Sequence, residues 1–279
     1  MKANEANGVQ QTQDFRVICK YCRDYQDSET LDVAGLNQIT VLIDRSQTLL
    51  TEVGLNVWYA GLEGPPHFHD GKEQIFFVIS GNGMVTVAGE SFPVKPNDLV
   101  YVPTGAMHRT MVESGEPLTY LLFNAFKDTD KEGHASFAEH IAEAKHVRRQ
   151  QADQAAQGAA IDWSRTMEKG RHTTIDLDTA QRQPDSVGIV PLLGPTETHR
   201  CAVDLGVQQA GQRRTIEIGR DSEKTLYFLS GPATVHVDDE LWSVAAGDVM
   251  YIPYGRTLAT ETGDAGLNFL CLSTILHLA

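Results

Sequence analysis

The sequence predicts an all-β protein that contains two small antiparallel barrels in one chain. One observation is that short runs of β-branched, aliphatic and aromatic residues, such as Ile75–Ile79, end at Gly- or Pro-containing turns. The other is an internal repeat, because the first half of the chain recurs in the second at a constant offset of 150 residues, which takes Gly81 to Gly231. The two halves are therefore expected to share one fold.

The repeat runs without a gap from about Leu55 to Phe126. Within it, the stretch Asp98–Gly105 recurs as Asp248–Gly255, with Tyr, Pro and Gly in the same places. Because strand residues and turn residues recur together, the two backbones should match. The predicted divisions are a tail at 1–30, a barrel at 31–126, a helical connector at 127–196 and a second barrel at 197–279.

The connector differs in character from both halves. Ser136 and Glu139 fit a capping box, and apolar residues follow at helical spacing. These apolar residues are Phe137, Ile141, Ala144 and Val147. The pattern predicts a helix that packs on the protein or faces solvent. No chemical role is assigned to the histidines of this region, which are His134, His140 and His146.

Charge and composition exclude some classes of partner. The formal net charge is −14, from 37 acidic and 23 basic residues, which argues against nucleic acid or an anionic membrane as the main partner. No apolar run approaches membrane-spanning length, and the first thirty residues lack a secretory hydrophobic region. A cytoplasmic protein with a small-molecule substrate is the expectation.

Three histidines predict a metal site in the first half. His67 and His69 are two residues apart, so in an extended strand both side chains point to the same side. His108 follows the next strand and a turn that contains Pro103 and Gly105. Imidazole suits zinc, iron, nickel and copper, whereas side-chain oxygens suit harder ions such as manganese. The pattern therefore indicates a divalent transition metal.

These two stretches resemble the two motifs of the cupin superfamily. The first motif corresponds to His67-Phe68-His69 with a later Gly81, and the second to Pro103-x-Gly105-x-x-His108. The resemblance covers roughly residues 55–126. It implies jelly-roll barrels, that is, double-stranded β-helices, so that the whole chain is a bicupin. It also implies one divalent metal per chain in the N-terminal barrel: iron, manganese, nickel or zinc.

The resemblance implies that the metal ligands are His67, His69, Gln74 and His108. Six residues separate the fourth ligand position from the motif glycine, which places that position at Gln74 rather than Glu73. A glutamine there resembles the bicupin isomerases of bacilysin biosynthesis, in which it serves as a ligand. Glu73 recurs as Glu223 in the second half, which indicates a structural role for both.

The second half keeps the turns but not the ligands. The residues at the four ligand positions are Glu217, Gly219, Lys224 and Leu258. The second barrel is therefore expected to bind no metal, and an ion pair between Lys224 and Glu217 is predicted in its place. This barrel should pack against the first as a dimer partner would, and whole chains are expected to pair again as homodimers.

A ligand set with no charge leaves the metal strongly Lewis acidic, which favours an anionic, bidentate substrate such as a small polar or aromatic acid. Three functional classes are open. The resemblance to quercetinase-like dioxygenases favours a dioxygenase, followed by a metal-dependent isomerase and then by a non-enzymatic binding module. The predicted pocket residues are Tyr59, Phe76, Val78, Met107 and Tyr120.

An isomerase needs a general base near the metal, and the sequence does not single one out. The candidates by position are Tyr59, Tyr101, Arg109, Glu113 and Tyr120. Arg109 should face away from the metal because its neighbour His108 faces the metal.

Overall fold

The structure is a computed structural model that describes residues 15–20, 28–113, 115–156, 160–177 and 188–275. The described residues form twenty strands and one α-helix, so the predicted all-β fold class is confirmed. A short strand, β1 (Ile18–Lys20), comes first in the chain. None of the described helices combines the length and apolarity that a membrane crossing requires.

The first barrel contains nine consecutive strands. They are β2 (Thr30–Val33), β3 (Asn37–Ile43), β4 (Thr51–Trp58), β5 (Lys72–Ser80), β6 (Gly83–Val87), β7 (Glu90–Val94), β8 (Asp98–Val102), β9 (His108–Met111) and β10 (Leu118–Phe126). A seven-stranded antiparallel sheet contains β8-β5-β10-β4-β3-β2 in that order and has one further strand beside β8. A three-stranded sheet, β7-β6-β9, closes the barrel.

The segment after the first barrel, predicted as a helical connector, contains one helix and two strands. These are α1 (Phe137–Ala156), β11 (Arg171–Thr174) and β12 (Gly188–Leu193). The predicted helix start is confirmed, because the Ser136 hydroxyl oxygen accepts a hydrogen bond from the backbone N–H of Glu139. The helix covers the open end of the first barrel, and its Phe137 and Ile141 pack into the interior of that barrel.

The second barrel repeats the first. Its strands are β13 (Cys201–Gln208), β14 (Arg213–Glu217), β15 (Ser222–Phe228), β16 (Ala233–Val237), β17 (Glu240–Val244), β18 (Val249–Ile252), β19 (Thr257–Thr262) and β20 (Leu267–Ile275). They form a sheet of order β1-β18-β15-β20-β13-β12 and a smaller sheet of order β14-β19-β16-β17. The offset of 150 residues takes β5 to β15 and β6 to β16, so the sequence repeat is a repeat of structure.

The two barrels exchange edge strands. β1 precedes the first barrel but pairs with β18 of the second, whereas β11 precedes the second barrel but pairs with β8 of the first. β8 and β18 are equivalent strands in the repeat, so each exchanged strand covers the same edge of its sheet and satisfies backbone groups that would otherwise lack partners. Part of the predicted tail thus belongs to the second barrel's sheet, and β11 of the connector belongs to the first barrel's sheet.

The large sheets of the two barrels pack against each other through one apolar core. Val53 and Phe123 of the first barrel and Val203 and Leu272 of the second are fully buried members of this core. Each barrel also has its own apolar interior cluster. In the first barrel, the residues predicted as metal ligands lie at the end of the barrel that α1 covers.

Candidate metal centre

Three histidine side chains converge at the open end of the first barrel. The ligating nitrogen atoms of His67, His69 and His108 all lie within 4.8 Å of one another. The backbones of His67 and His108 exchange two N–H to O hydrogen bonds, of 3.0 and 2.7 Å, which place the two residues side by side. The alternation of side chains that was predicted from the spacing of His67 and His69 therefore brings both toward His108.

The local backbone explains why His67 can face the cavity. In the second barrel, β14 pairs continuously with β19, but the equivalent stretch of the first barrel makes only two isolated bridges to β9, at Glu63 and His67. Pro65 and Pro66 lie between those bridges, and proline has no N–H to donate to a ladder. The prolines thus interrupt the strand and leave a loop that carries the histidines.

Two of the histidines are held in one tautomer. Nδ1 of His67 donates to the carbonyl oxygen of Pro65 at 3.1 Å, and Nδ1 of His108 donates to that of Ala106 at 3.0 Å. A carbonyl oxygen can only accept, so the proton lies on Nδ1 and the Nε2 lone pair is free for a cation. This is the arrangement that metal-binding histidines commonly show.

All three imidazoles are neutral at neutral pH. Burial is the main reason that the pKa values of His67 and His69 lie well below their usual value, with neighbouring positive charges adding to the effect. Burial also lowers the pKa of His108 to about 4. A neutral imidazole is the form that coordinates a metal, so the cluster is ready to bind one without first losing protons.

The fourth predicted ligand, Gln74, lies on β5 and lines the same cavity. Its Nε2 donates to Oδ1 of Asn124 at 2.9 Å, and Nδ2 of Asn124 donates to Oε1 of Glu52 at 2.6 Å. Glu52 is in turn held by Arg45 through two hydrogen bonds of 2.6 and 2.9 Å. Both partners of that ion pair are fully buried.

This chain of contacts fixes the direction of the Gln74 amide. A carboxylate only accepts, so Asn124 must turn its NH2 toward Glu52 and its oxygen toward Gln74. Gln74 must then turn its own NH2 toward Asn124, which leaves its Oε1 as a buried oxygen with no hydrogen-bond partner in the described structure. A buried acceptor of this kind needs a partner, and a cation would supply it.

Three imidazole nitrogens and one amide oxygen form a donor set that fits a divalent transition metal. Within the described residues, these histidines are the one group of three or more His, Cys, Asp or Glu side chains close enough to hold an ion. His67, His69 and Gln74 are reached from the cavity, so a metal at this point would be open to a small molecule.

The cavity has a volume of about 340 Å³ and lies between the barrel interior and the inner face of α1. Its apolar wall includes Ile39, Trp58, Phe76, Leu122, Phe137 and Ile141. Of the predicted pocket residues, Phe76 and Tyr120 line this cavity and their rings stack at 4.6 Å. This volume is within the range of pockets that bind small molecules.

The other predicted pocket residues do not line the cavity. Val78 shares a face of β5 with Gln74 and Phe76, but it lies deeper, within the barrel's apolar interior. Met107 precedes His108, so strand alternation turns it away from the cavity. Tyr59 follows the last residue of β4 and lies beyond the cavity wall. Sequence proximity to a ligand was a poor guide for these three positions.

Of the five candidate bases, Tyr120 is the one that the structure places in the cavity. Tyr101 donates to Glu73 in the core between the barrels, and Arg109 pairs with Glu63 at the surface. Glu113 is exposed. Arg109 faces away from the histidine cluster, as strand alternation predicts.

Tyr120 is held by a second chain of amides. Its hydroxyl oxygen accepts hydrogen bonds from Nδ2 of Asn56 at 3.0 Å and from Nε1 of Trp58 at 2.8 Å. Asn37 donates to Asn56 at 2.7 Å and accepts from Nη1 of Arg148 at 3.1 Å. Burial raises the pKa of Tyr120, so its phenol is neutral at neutral pH.

The sequence interpretation missed the contribution of α1 to the cavity. The helix presents His140 and Arg148 to the same space as the histidine cluster, and the rings of His69 and His140 lie 6.0 Å apart. The signal was present in the spacing, because Arg148 follows Ile141 by seven residues and so lies on the predicted apolar face. The sequence interpretation did not consider Arg148, which the structure places in the cavity wall.

Lys72, at the start of β5, is a further buried cation in the cavity wall. Its Nζ lies 3.2 Å from Nε2 of His140, 3.1 Å from Glu132 and 4.0 Å from Glu52. Burial lowers the pKa values of both Lys72 and His140. The two carboxylates neutralise Lys72, and the His140 ring is a neutral neighbour that can exchange a proton with it.

The second barrel lacks this constellation. Leu258, at the position of His108, is buried in its apolar interior. The predicted ion pair between Lys224 and Glu217 is wrong, because Lys224 donates to Ser273 at 2.8 Å and Glu217 is exposed on β14. The two side chains leave their strands on different faces, so the equivalence of their positions did not bring them together.

Residues 56–124 match the cupin domain family (Cupin_2), which is the part of the chain that carries the histidine cluster. Over 55 residues, the chain is 33% identical to the uncharacterized protein MJ1618 of Methanocaldococcus jannaschii. That alignment covers 20% of this chain and 44% of the relative, so it spans less than half of the relative's length.

Solved structures match over nearly the whole chain. The protein Ylba from E. coli has a TM-score of 0.62 at 12% identity, with 95% of both chains covered. Oxalate decarboxylase from Lactobacillus farciminis has a TM-score of 0.58 at 16% identity, covering 93% of this chain and 86% of that one. Oxalate decarboxylase from Bacillus subtilis has a TM-score of 0.58 at 18% identity, covering 96% and 79%. The predicted cupin resemblance is confirmed, and the chain has the two-barrel cupin fold.

Proposed function

We propose that this protein is a metal-dependent enzyme of the dioxygenase type that acts on a small organic acid in its N-terminal barrel. The observation that carries the proposal is the convergence of three neutral histidines and the unpartnered oxygen of Gln74 in one cavity. A bound divalent metal with open coordination positions would polarise an anionic substrate and, if redox-active, would let dioxygen react with it.

Two structural neighbours support the metal and the size of the substrate. The Bacillus subtilis oxalate decarboxylase is described with Mn(II) centres, and the Lactobacillus farciminis enzyme was solved as a formate complex. Both are far below 25% identity to this chain. They therefore favour a divalent ion and a small carboxylate here without fixing the metal or the reaction.

The residues of this chain supply three further functions. The apolar wall formed by Trp58, Phe76 and Leu122 excludes water from the substrate, which strengthens electrostatic interactions in the cavity. Arg148, which pairs with no carboxylate of the described residues, makes the cavity attractive to an anion. Tyr120 keeps its proton and is held by Asn56 and Trp58, so it can donate a hydrogen bond at a fixed point.

A metal-dependent isomerase is the second candidate, and one observation favours it. An isomerase must move a proton, and Lys72 and His140 lie 3.2 Å apart with the pKa of each lowered mainly by burial. The contact offers a buried path along which a proton can pass between the two nitrogens. A non-enzymatic module that only binds a small ligand is the third candidate.

One experiment separates the three classes. Protein purified without chelator and without a nickel column is analysed for metal, and oxygen uptake is then measured with a panel of catechols and 2-oxo acids. About one iron per chain with substrate-dependent uptake supports the dioxygenase. About one zinc, nickel or manganese per chain with no uptake favours the isomerase. The absence of any metal would contradict the proposal and leave a binding module.

The assembly and location proposed from the sequence are independent of this chemistry. We propose a homodimer, because the two barrels of one chain already pack as partners would, and we keep the cytoplasmic location as the expectation from the sequence. Sedimentation of the purified protein measures the assembly directly.

A further inference from the structure

The two cations of the cavity are balanced very differently. Lys72 has two carboxylates, Glu132 at 3.1 Å and Glu52 at 4.0 Å. Arg148 forms no ion pair with any carboxylate of the described residues, and its polar partner is the amide oxygen of Asn37 at 3.1 Å. The other guanidinium N–H groups have no carboxylate partner among the described residues, and Arg148 lines the cavity.

The position of Arg148 is fixed by rigid neighbours. Its guanidinium carbon lies 5.7 Å from the centre of the Trp58 ring, which gives a cation–π contact, and Asn37 is held in turn by Asn56. The guanidinium is thus held in place before any ligand arrives, which lowers the entropy cost of binding one. An arginine held in this way offers the planar pair of N–H donors that matches a carboxylate.

A second unsatisfied group lies on the same face of the helix. Gln151 is three residues beyond Arg148 and also lines the cavity, and its Oε1 is buried without a hydrogen-bond partner. An amide can present either its oxygen or its NH2 group to a ligand in the cavity. Two polar side chains without full partners at one end of a cavity indicate that a polar ligand completes that end.

Arg148 and the histidine cluster line the same cavity. The Arg148 guanidinium lies over the Trp58 ring, and Nε1 of Trp58 donates to the Tyr120 hydroxyl. The Tyr120 ring stacks on Phe76, whose ring centre lies 6.2 Å from that of His108. The cavity that Arg148 shares with the cluster has a volume of about 340 Å³, which is within the range of pockets that bind small molecules.

We propose that Arg148 binds the carboxylate of the substrate and that the substrate is a small acid with a second oxygen donor directed to the histidine cluster. Acids of this class include 2-oxo acids and hydroxylated benzoic acids. The inference rests on the proposed function, because it names the substrate class of the same site. It adds a specificity residue on α1, outside the barrel that carries the four candidate ligands.

The test measures binding rather than turnover. The protein is loaded with zinc, which is redox-inert, and its affinity is measured by calorimetry for 2-oxobutanoate and 3,4-dihydroxybenzoate and for the methyl ester of each. The ester keeps the shape of the acid and removes its charge. The unsubstituted protein is expected to bind the acids about 10-fold or more tightly than the esters, because a hydrogen-bonded charge pair forms only with the acid.

Arg148→Met is expected to weaken acid binding by about 10- to 100-fold and to leave ester binding unchanged. Arg148→Lys, which keeps the charge but loses the paired donors, should be intermediate. Arg149→Met is the matched control, because it removes the same charge from an exposed position one residue later on the helix. Zinc content and thermal stability are measured for every variant.

Several results would overturn the proposal. Arg148→Met with an undiminished preference for acids would do so, as would equal binding of acid and ester, or no binding of either acid, by the unsubstituted protein. Loss of zinc from Arg148→Met would also overturn it, since the effect would then act through the metal site. Failure of the proposed function would show separately, as missing metal or missing turnover in a protein that still prefers acids.

Discussion

Glu73 and Glu223 occupy equivalent positions in the two barrels, and each accepts hydrogen bonds from the backbone of the other barrel. Both are fully buried. The donors to Glu73 are the backbone N–H groups of His199 and Arg200, the hydroxyl of Tyr101 and the thiol of Cys201. The donors to Glu223 are the N–H groups of Leu49 and Leu50 and the hydroxyl of Tyr251. The structural role predicted from the repeat is confirmed.

This relationship explains why a carboxylate stands beside the ligand position without being a ligand. Glu73 and Gln74 are consecutive on β5, so one points to the core between the barrels and the other to the cavity. A buried carboxylate is stable only when its oxygens are hydrogen-bonded, and here four donors satisfy Glu73 and three satisfy Glu223. The pair thus fixes the two barrels to each other, and the metal site is built on the opposite face of the same strand.

Tyr101 and Tyr251, which donate to these two carboxylates, should contribute to the free energy of unfolding. Tyr101→Phe and Tyr251→Phe each remove one hydrogen bond to a buried carboxylate, so each should lower the free energy of unfolding by about 1–3 kcal/mol. Urea denaturation measures the effect. Tyr59→Phe, at a partly buried tyrosine outside the core between the barrels, should change the value by less than about 0.5 kcal/mol. Equal effects at all three positions would contradict the role of the carboxylates.

His108→Ala should remove the metal and leave the second barrel folded. The side chain supplies one of three converging imidazoles, whereas the second barrel has its own interior cluster and needs nothing from the cavity. Metal analysis after gel filtration measures the loss, and a cooperative thermal transition measures the folding. His236→Ala, a histidine of the second barrel, should keep full metal content. Full metal retention in His108→Ala would refute the ligand set.

Asn124→Ala should weaken metal binding although Asn124 touches no metal. The substitution removes the acceptor that orients the Gln74 amide, and losses of about 10- to 100-fold are typical when such a supporting contact is removed. Competition with a chelating dye measures the affinity. A double-mutant cycle supplies the control, because the effect of Asn124→Ala should disappear once Gln74→Ala is present. Additive effects would show that Asn124 acts by another route.

Gln74→Glu should keep the metal and weaken the binding of acids. A carboxylate at this position lowers the net charge of a divalent site from +2 to +1. The carboxylate would also face the side-chain oxygen of Asn124, because the NH2 group of Asn124 donates to Glu52. Calorimetry with the zinc-loaded protein and 2-oxobutanoate measures the change. Lys224→Ala, at the equivalent position of the second barrel, should leave the affinity unaltered. Unchanged acid binding by Gln74→Glu would count against the charge argument.

The metal-free protein should lose stability as the pH falls. The pKa of His108 is about 4 in the folded chain and near 6.5 when unfolded, so between these values the unfolded chain binds more protons and unfolding becomes easier. His108 alone accounts for roughly 2 kcal/mol between pH 7.5 and pH 5. His67, His69 and His140 act in the same direction.

Urea denaturation of chelator-treated protein at the two pH values tests this dependence. The decrease should be smaller in His108→Gln, which cannot take up the proton. A decrease of equal size in both proteins would assign the effect to other groups. Saturation with zinc should raise the free energy of unfolding at both pH values without reducing the decrease between them, because the metal keeps the folded nitrogens deprotonated while the unfolded chain still takes up protons.

The repeat and the two motifs determined much of this protein from sequence alone. The offset of 150 residues predicts that β5 and β15 are equivalent strands of two similar barrels. The prediction works because the residues that form strands and turns recur in both halves. The spacing of His67 and His69, the position of His108 and the count that selects Gln74 predict the members of the site, and the structure brings all four to one cavity. These inferences needed only strand alternation and motif spacing.

Tertiary structure alone decided what surrounds the candidate ligands. The direction of the Gln74 amide depends on Asn124, Glu52 and Arg45, and the free charge of the cavity depends on Arg148 in a helix that the sequence treats as a connector. The residues of β1 and β11 likewise do not predict that each strand pairs with the other barrel. Each of these contacts joins segments that are far apart in the chain, and local patterns do not encode which distant partner will satisfy a buried polar group.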